Sequence, residues 1–195
     1  MVRQISIIQG HPDATAQHFC HALANAYIKG AQSNGHEVRL IDVASMDFPV
    51  LRSKEDFENG TLSEPIKLAQ DTIHWSNHLV IVYPLWLGTM PALLKAFFEQ
   101  VLRPDFAFEY SKSGRMPKKR LTGKSARIIV TMGMPALIYR WFFFAHGVKT
   151  LERNILAFCG INPIKTSLIG SIENQNEAQR LKWLDEIQRL GEAGH

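Results

Sequence analysis

The sequence predicts an α/β fold: a doubly wound, five-stranded parallel sheet in the order 2-1-3-4-5, with helices on both faces. Three observations predict it. Short β-branched, apolar runs recur along the 195 residues with little polar alternation, as strands buried on both faces require. Longer stretches with helical spacing separate these runs, which is the pattern of βαβ units. Five such units fill a chain of this length without a linker, an internal repeat or a low-complexity tract.

Gln4-Ile5-Ser6-Ile7-Ile8 reads as the first strand and ends at Gly10-His11-Pro12. From Thr15 to about Ser33, Phe19, Leu23, Ala26 and Tyr27 share one helical face, and Gly35 closes the unit. Glu37–Asp42 is the second strand, and a helix follows at 65–75. Leu79–Tyr83 is the third strand; the next helix, 91–102, carries Pro91 in its first turn, where no backbone donor is lost. Ala126–Thr131 is the fourth strand, followed by a helix at 148–158. Ile164–Ile169 is the fifth, and the last helix, 174–190, turns Leu181, Trp183, Leu184, Ile187 and Leu190 inward. Residues 1–195 thus read as one domain with a flavodoxin-like arrangement.

Composition narrows the function classes. With 46% apolar and 21% charged residues, the chain is neither a disordered, a collagenous nor a disulfide-scaffold sequence. Cys20 and Cys159 form no CxxC pair and suit a reducing, cytoplasmic setting. The first apolar run is too short for a signal peptide, and Trp141–Ala145 is far too short for a bilayer span, so a cytoplasmic protein without direct membrane insertion is expected. Of the eight histidines, His18/His21 and His74/His78 have helical spacing, yet no acidic or cysteine cluster accompanies them, so no metal is expected.

In a doubly wound sheet, ligands bind outside the carboxyl ends of the strands, near the switch point. Three unusual loops should therefore converge. The first, Gly10 to Phe19, opens a helix whose free N–H groups and dipole favour an anion, with Thr15, His11 and His18 as further donors; the bland alternative is a plain N-cap at Thr15 or Asp13. It contains neither GxGxxG nor GxxxxGK[ST]. The second, Tyr83 to Lys95, is apolar and aromatic between two prolines, which fits a large flat ligand or a partner subunit. The third, Thr131-Met132-Gly133-Met134-Pro135, offers backbone approach at Gly133 and leads into the aromatic run Tyr139–His146.

With these residues in view, the chain resembles the flavin-dependent NAD(P)H:quinone oxidoreductases, including the bacterial group described as modulator of drug activity B. The likeness rests on His11-x3-Thr15 with His18, on Pro84-Leu85-Trp86 with Met90-Pro91-Ala92-Leu93-Leu94-Lys95, on Phe106-Ala107-Phe108, on Gly123-Lys124, and on Thr131-Met132-Gly133 with Tyr139 six residues on. The resemblance implies that His11, Thr15, Gln17 and His18 hold the flavin phosphate and its neighbouring chain. It implies that Pro84, Leu85, Trp86 and Leu87 line the isoalloxazine, and that Thr131, Met132 and Gly133 border its other edge. Catalytic roles fall to Tyr139 and His146, beside the flavin carbonyl, and Trp86, Phe106 and Phe108 form the substrate pocket. The implied cofactor is a flavin, with FAD favoured and FMN possible. NAD(P)H is the reductant, a quinone-like small molecule the acceptor, and a homodimer the assembly. Reductant and acceptor share one flavin face in turn, so ping-pong kinetics follow.

Two other classes compete: a flavodoxin-like electron carrier, and a regulatory accessory subunit of a potassium-efflux system. Carriers usually show an acidic surface and a Thr-x-Thr-Gly-x-Thr loop, and this chain has neither. The net charge of +4 invites a nucleic-acid reading, but no recognised module appears. The charge sits in Lys112, Arg115, Lys118, Lys119, Arg120, Lys124 and Arg127, a stretch without an acid; the rest of the chain is mildly acidic. That stretch reads as a solvated loop, or as an attractor for cofactor phosphates.

Overall fold

The computed structural model describes residues 2–110 and 117–195. Its centre is a five-stranded parallel sheet made of β1 (Gln4–Gln9), β2 (Glu37–Asp42), β3 (His78–Pro84), β4 (Ser125–Thr131) and β5 (Ile164–Ile169). Their spatial order is β2-β1-β3-β4-β5, as the sequence predicts. The chain leaves β1 in one direction for β2 and returns to β3 on the other side. The crevice between the carboxyl ends of β1 and β3 is therefore the switch point.

Side chains alternate across the sheet and divide the core in two. Val80 and Val82 of β3 join Leu23 and Tyr27 of α1 (Phe19–Ser33) and Ile187 of the last helix. Leu79, Ile81 and Tyr83 face the other way, among Ile66, Phe97 and Leu151. These belong to α3 (Glu64–Trp75), to α4 (Ala92–Val101) and to a π-helical stretch, Thr150–Leu156. The short helix α2 (Lys54–Asn59), capped by Ser53, precedes α3. After β4 come α5 (Ala136–Trp141) and α6 (His146–Lys149); α6 runs on through the π-helical stretch into Ala157–Cys159. The last helix, α7 (Glu177–Ala193), starts at an Asn176–Gln179 capping box.

Several boundaries differ from the sequence expectations for identifiable reasons. Helix α1 starts at Phe19, not Thr15, and its N-cap is His18. The Asp13 carboxylate accepts both the N–H and the hydroxyl of Thr15, and that local turn competes with helix. Pro91 is the N-cap of α4 rather than its first residue. His74 lies in the last turn of α3 while His78 opens β3, so the two stand on different elements. Leu181 lies exposed on the outer side of α7, whereas Ile187 is fully buried. Helices α2 and α5, and a two-residue hairpin pairing Phe108–Glu109 with Lys118–Lys119, are too short to leave a periodic signal.

The basic stretch disperses on folding. Lys112 and Arg115 lie outside the described residues. Arg120 pairs with Glu109 at 3.4 Å. The Lys124 ammonium donates to the His74 and Ser76 carbonyls at the end of α3. Arg127 is buried, donating to the Ser167 hydroxyl and the His195 carbonyl oxygen. Lys124 precedes β4 and Arg127 is its third residue, so both lie towards the amino ends of the strands, opposite the switch point.

Candidate active site

The first two loops meet at the carboxyl ends of β1 and β3. The Gly10 N–H donates to the Val82 carbonyl at 2.8 Å, and the Leu85 N–H to the Thr131 carbonyl at 2.7 Å, which ties the exits of β1, β3 and β4 together. The His11 ring lies edge-on to Trp86 with ring centres 6.2 Å apart. His11 also stacks on His18 at 3.8 Å and lies 5.3 Å from His21.

This side of the site is a set of hydrogen-bond donors. The Gln9 carbonyl oxygen of the side chain accepts the His11 N–H, and His11 Nδ1 accepts the Asp13 N–H, which leaves the His11 proton on Nε2. Burial, reinforced by His18 and His21, lowers the His11 pKa, so its ring is a neutral donor near pH 7. His18 Nε2 meets the second Asp13 oxygen at 2.8 Å. Thr15 and His18 together hold the Asp13 carboxyl well below the usual carboxylate range. An anionic group thus already sits on the donors nearest the opening of α1. Gln9 and His21 were not singled out from sequence as site residues; the signal for Gln9 is a polar residue closing an apolar strand.

The other side is apolar and open. Trp86 and Thr89 exchange backbone hydrogen bonds at 2.9 and 3.0 Å, with Leu87 and Gly88 both at positive φ, +47° and +79°. This is a two-residue turn that points its tip outward. Trp86 is half exposed and Leu87 wholly so. With Met90, Pro91, Lys95 and Thr150 they line a cavity of about 500 Å³. A second cavity, of about 290 Å³, contains Phe108 and shares Lys95 with the first. Phe108 packs edge-on against Phe158 at 5.0 Å within the core, and Phe106 is partly buried against that core.

The remaining expected residues divide by depth. Pro84 ends β3 and is buried; Leu85 is partly exposed. Thr131 and Met132 are buried, the Thr131 hydroxyl meeting Cys20 Sγ at 3.1 Å, whereas Gly133 reaches the surface. Gln17 and Thr15 are exposed at the rim of the first loop. Tyr139 is buried, and its hydroxyl donates to the Gly88 carbonyl at 3.0 Å while accepting the Val148 N–H at 3.2 Å. Gly147 belongs to the same lock: a Cβ there would lie 2.1 Å from the Gly88 oxygen. His146 is exposed at the start of α6, with its ring 5.9 Å from Phe144. Among the described residues no cluster of three metal-ligating side chains occurs. Cys20 and Cys159 are buried, and burial pushes both thiols up to about 12, which disfavours the thiolate form.

The fold is thus a doubly wound parallel sheet with a donor-lined loop beside an exposed aromatic turn at its switch point, the place where sheets of this class bind their ligands. The family model for the flavodoxin-like fold matches residues 3–190, and the chain belongs to that family. It is 29% identical over 183 residues to an uncharacterized NAD(P)H oxidoreductase of Haemophilus influenzae, covering 92% of this chain and 89% of that one. An FMN-dependent NADH:quinone oxidoreductase of Colwellia psychrerythraea is 30% identical over 120 residues, 60% of this chain and 59% of the relative. The solved NAD(P)H:quinone oxidoreductase from Methanothermobacter marburgensis superposes with a TM-score of 0.83 over all of both chains, at 21% identity.

Proposed function

We propose that the protein is a flavin-dependent oxidoreductase that takes a hydride from NAD(P)H and gives it to quinones or similar flat acceptors. The observation that carries this reading is the contact of His11 with Trp86: a loop rich in hydrogen-bond donors abuts an exposed aromatic surface, an arrangement suited to the phosphate and the ring system of a flavin. The names of the Haemophilus and Colwellia relatives agree with it. When bound, the flavin supplies the redox chemistry, while the protein provides placement and electrostatics.

In this reading His11, Thr15, Gln17 and His18 hold the phosphate end. Pro84, Leu85, Trp86 and Leu87 form the floor under the ring system, with Thr131, Met132 and Gly133 along the other edge through backbone groups. Tyr139 is a positioning residue, because its hydroxyl is committed to Gly88 and Val148 and acts through the turn that it holds. His146, exposed beside Phe144, is free to approach the acceptor. Trp86 stacks flat substrates, with Phe106 and Phe108 shaping the adjoining wall.

The sequence favoured FAD; the name of the Colwellia relative supports FMN instead, and FMN is the cofactor proposed. A homodimer is proposed from the exposed apolar surface of Ile138, Phe142 and Phe143. Among the described residues no helix is long and apolar enough to cross a membrane.

Reconstitution tests the reading. Purified protein is expected to be yellow or to take up added FMN, and to oxidise NAD(P)H with a quinone in parallel-line, ping-pong kinetics. Mass measurement of the released cofactor distinguishes FMN from FAD. Protein that binds neither flavin overturns the assignment, and flavin binding without turnover of both substrates favours an electron carrier.

A further inference from the structure

A second groove, of about 560 Å³, lies between α5, α6 and the edge strand β5, and the flavin reading gives it no role. Its walls are Trp141 and Phe144, whose rings are largely exposed. Its charged groups are Arg140, Lys149 and Glu152. Among the described residues Arg140 and Lys149 have no carboxylate within ion-pair distance, and the Arg140 guanidinium lies 6.0 Å from the Trp141 ring centre. The Thr166 hydroxyl donates to Glu152 Oε1, fixing that carboxylate on the groove floor. Glu152 itself lies in the π-helical stretch, a local widening often found at functional sites.

Two further features show that the groove is built. Phe144 and Ala145 both adopt left-handed φ, +53° and +50°, a conformation disfavoured for residues with a Cβ. That double reversal lies between α5 and α6, where Ala145 caps α6, and Phe144 stands on the groove wall. Helical spacing also separates this wall from the proposed dimer face. Leu137 and Trp141, one turn apart on α5, line the groove together with Phe144 from the reversal that follows, whereas Ile138 and Phe142 lie outside its lining.

Aromatic walls, two unpaired cations and an anchored carboxylate are the groups that recognise a purine, a phosphate and a ribose diol, respectively. The groove also adjoins the flavin floor. Val148 lines it, and the Val148 N–H is joined through the Tyr139 hydroxyl to Gly88, a span well within an extended dinucleotide. We propose that this groove binds the adenosine-phosphate end of the dinucleotide reductant. The assignment rests on the NAD(P)H reading above and adds to it the site of the non-reacting half.

The test is titration calorimetry with AMP on the flavin-loaded protein, paired with steady-state kinetics. AMP is expected to bind with one site per chain, more tightly than adenosine. The double variant Arg140→Ala/Lys149→Ala is expected to lose about tenfold or more in AMP affinity, because each cation–phosphate bond it removes is charge-assisted. The KM for the dinucleotide should rise by a similar factor relative to that for N-methyl-dihydronicotinamide, which has no adenosine phosphate. Trp141→Ala should weaken AMP as well. Absence of AMP binding to the wild type, or KM values for both reductants rising equally in the double variant, would overturn the proposal. AMP binding that depends on Arg140 and Lys149, in a protein that oxidises neither reductant, would keep the adenosine-phosphate site and reject the oxidoreductase reading instead.

Discussion

The buried Tyr139 hydroxyl joins Gly88 to Val148, donating to the carbonyl of one at 3.0 Å and accepting the N–H of the other at 3.2 Å. One side chain of α5 thereby fixes the turn that carries Trp86 and Leu87 against the first turn of α6. The same enclosure raises the Tyr139 pKa, burial being the main cause.

Tyr139→Phe keeps the ring packing but strands a buried carbonyl and a buried N–H. Stability is expected to fall by about 1–3 kcal/mol in urea denaturation, with weaker FMN binding as the turn loosens. Unchanged stability with slower flavin reduction would assign the hydroxyl directly to the flavin carbonyl, as the family resemblance implies.

Asp13 places a carboxylate on Thr15 and His18, two of the groups proposed to hold the flavin phosphate. Asp13→Ala removes that internal anion. FMN affinity, followed by quenching of flavin fluorescence, is expected to rise several-fold, while riboflavin affinity stays the same. A loss of affinity for both ligands would show that Asp13 serves to shape the loop.

His78 gives a pH signature at the opposite edge of the sheet. It is buried, with Nδ1 bonded to the Ser125 hydroxyl at 2.7 Å, and burial, reinforced by Arg3 and Arg127, lowers its pKa to about 3. Between pH 6.5 and 3 the unfolded chain holds a proton on this ring that the folded chain does not, so stability is full above the unfolded value and falls as the pH drops. Denaturation midpoints measured across that range should decline, amounting to a few kcal/mol by the lower limit. In His78→Gln the part of the slope due to this ring should vanish; an unaltered slope would place the acid sensitivity elsewhere.

Phe142 stands 73% exposed beside Phe143, their rings edge-on at 5.0 Å. If this face pairs two copies, Phe142→Glu should shift the sedimenting species from dimer to monomer without lowering the thermal midpoint of the monomer fold. Wild-type protein that sediments as a monomer would remove the dimer from the proposal.

The legible part of the fold was the part governed by periodicity. Runs such as Leu79–Tyr83 are apolar at every position because both faces of a central parallel strand are covered, and that leaves an unambiguous trace. Helix α5 and the hairpin at Phe108 span only a few residues each, so their stability comes from packing that a local window does not contain. The start of α1 is hidden from a local pattern for a related reason: Thr15 is a sound capping residue, but Asp13 takes both of its donors.

The amino-acid sequence by itself determined the strand order, the switch point and the two loops that meet there. These follow from alternation, loop composition and the few ways a right-twisted parallel sheet can be wound. Which atoms face one another was decided only by the tertiary structure. The tertiary structure bonds Tyr139 to Gly88 and Val148, partners no local pattern announces; Lys124 and Arg127 belong to a basic stretch in sequence, yet folding carries them away from the switch point. The physical reason is that a buried hydroxyl or cation must find partners wherever packing places it, and those partners lie 9 to 68 residues away in the chain.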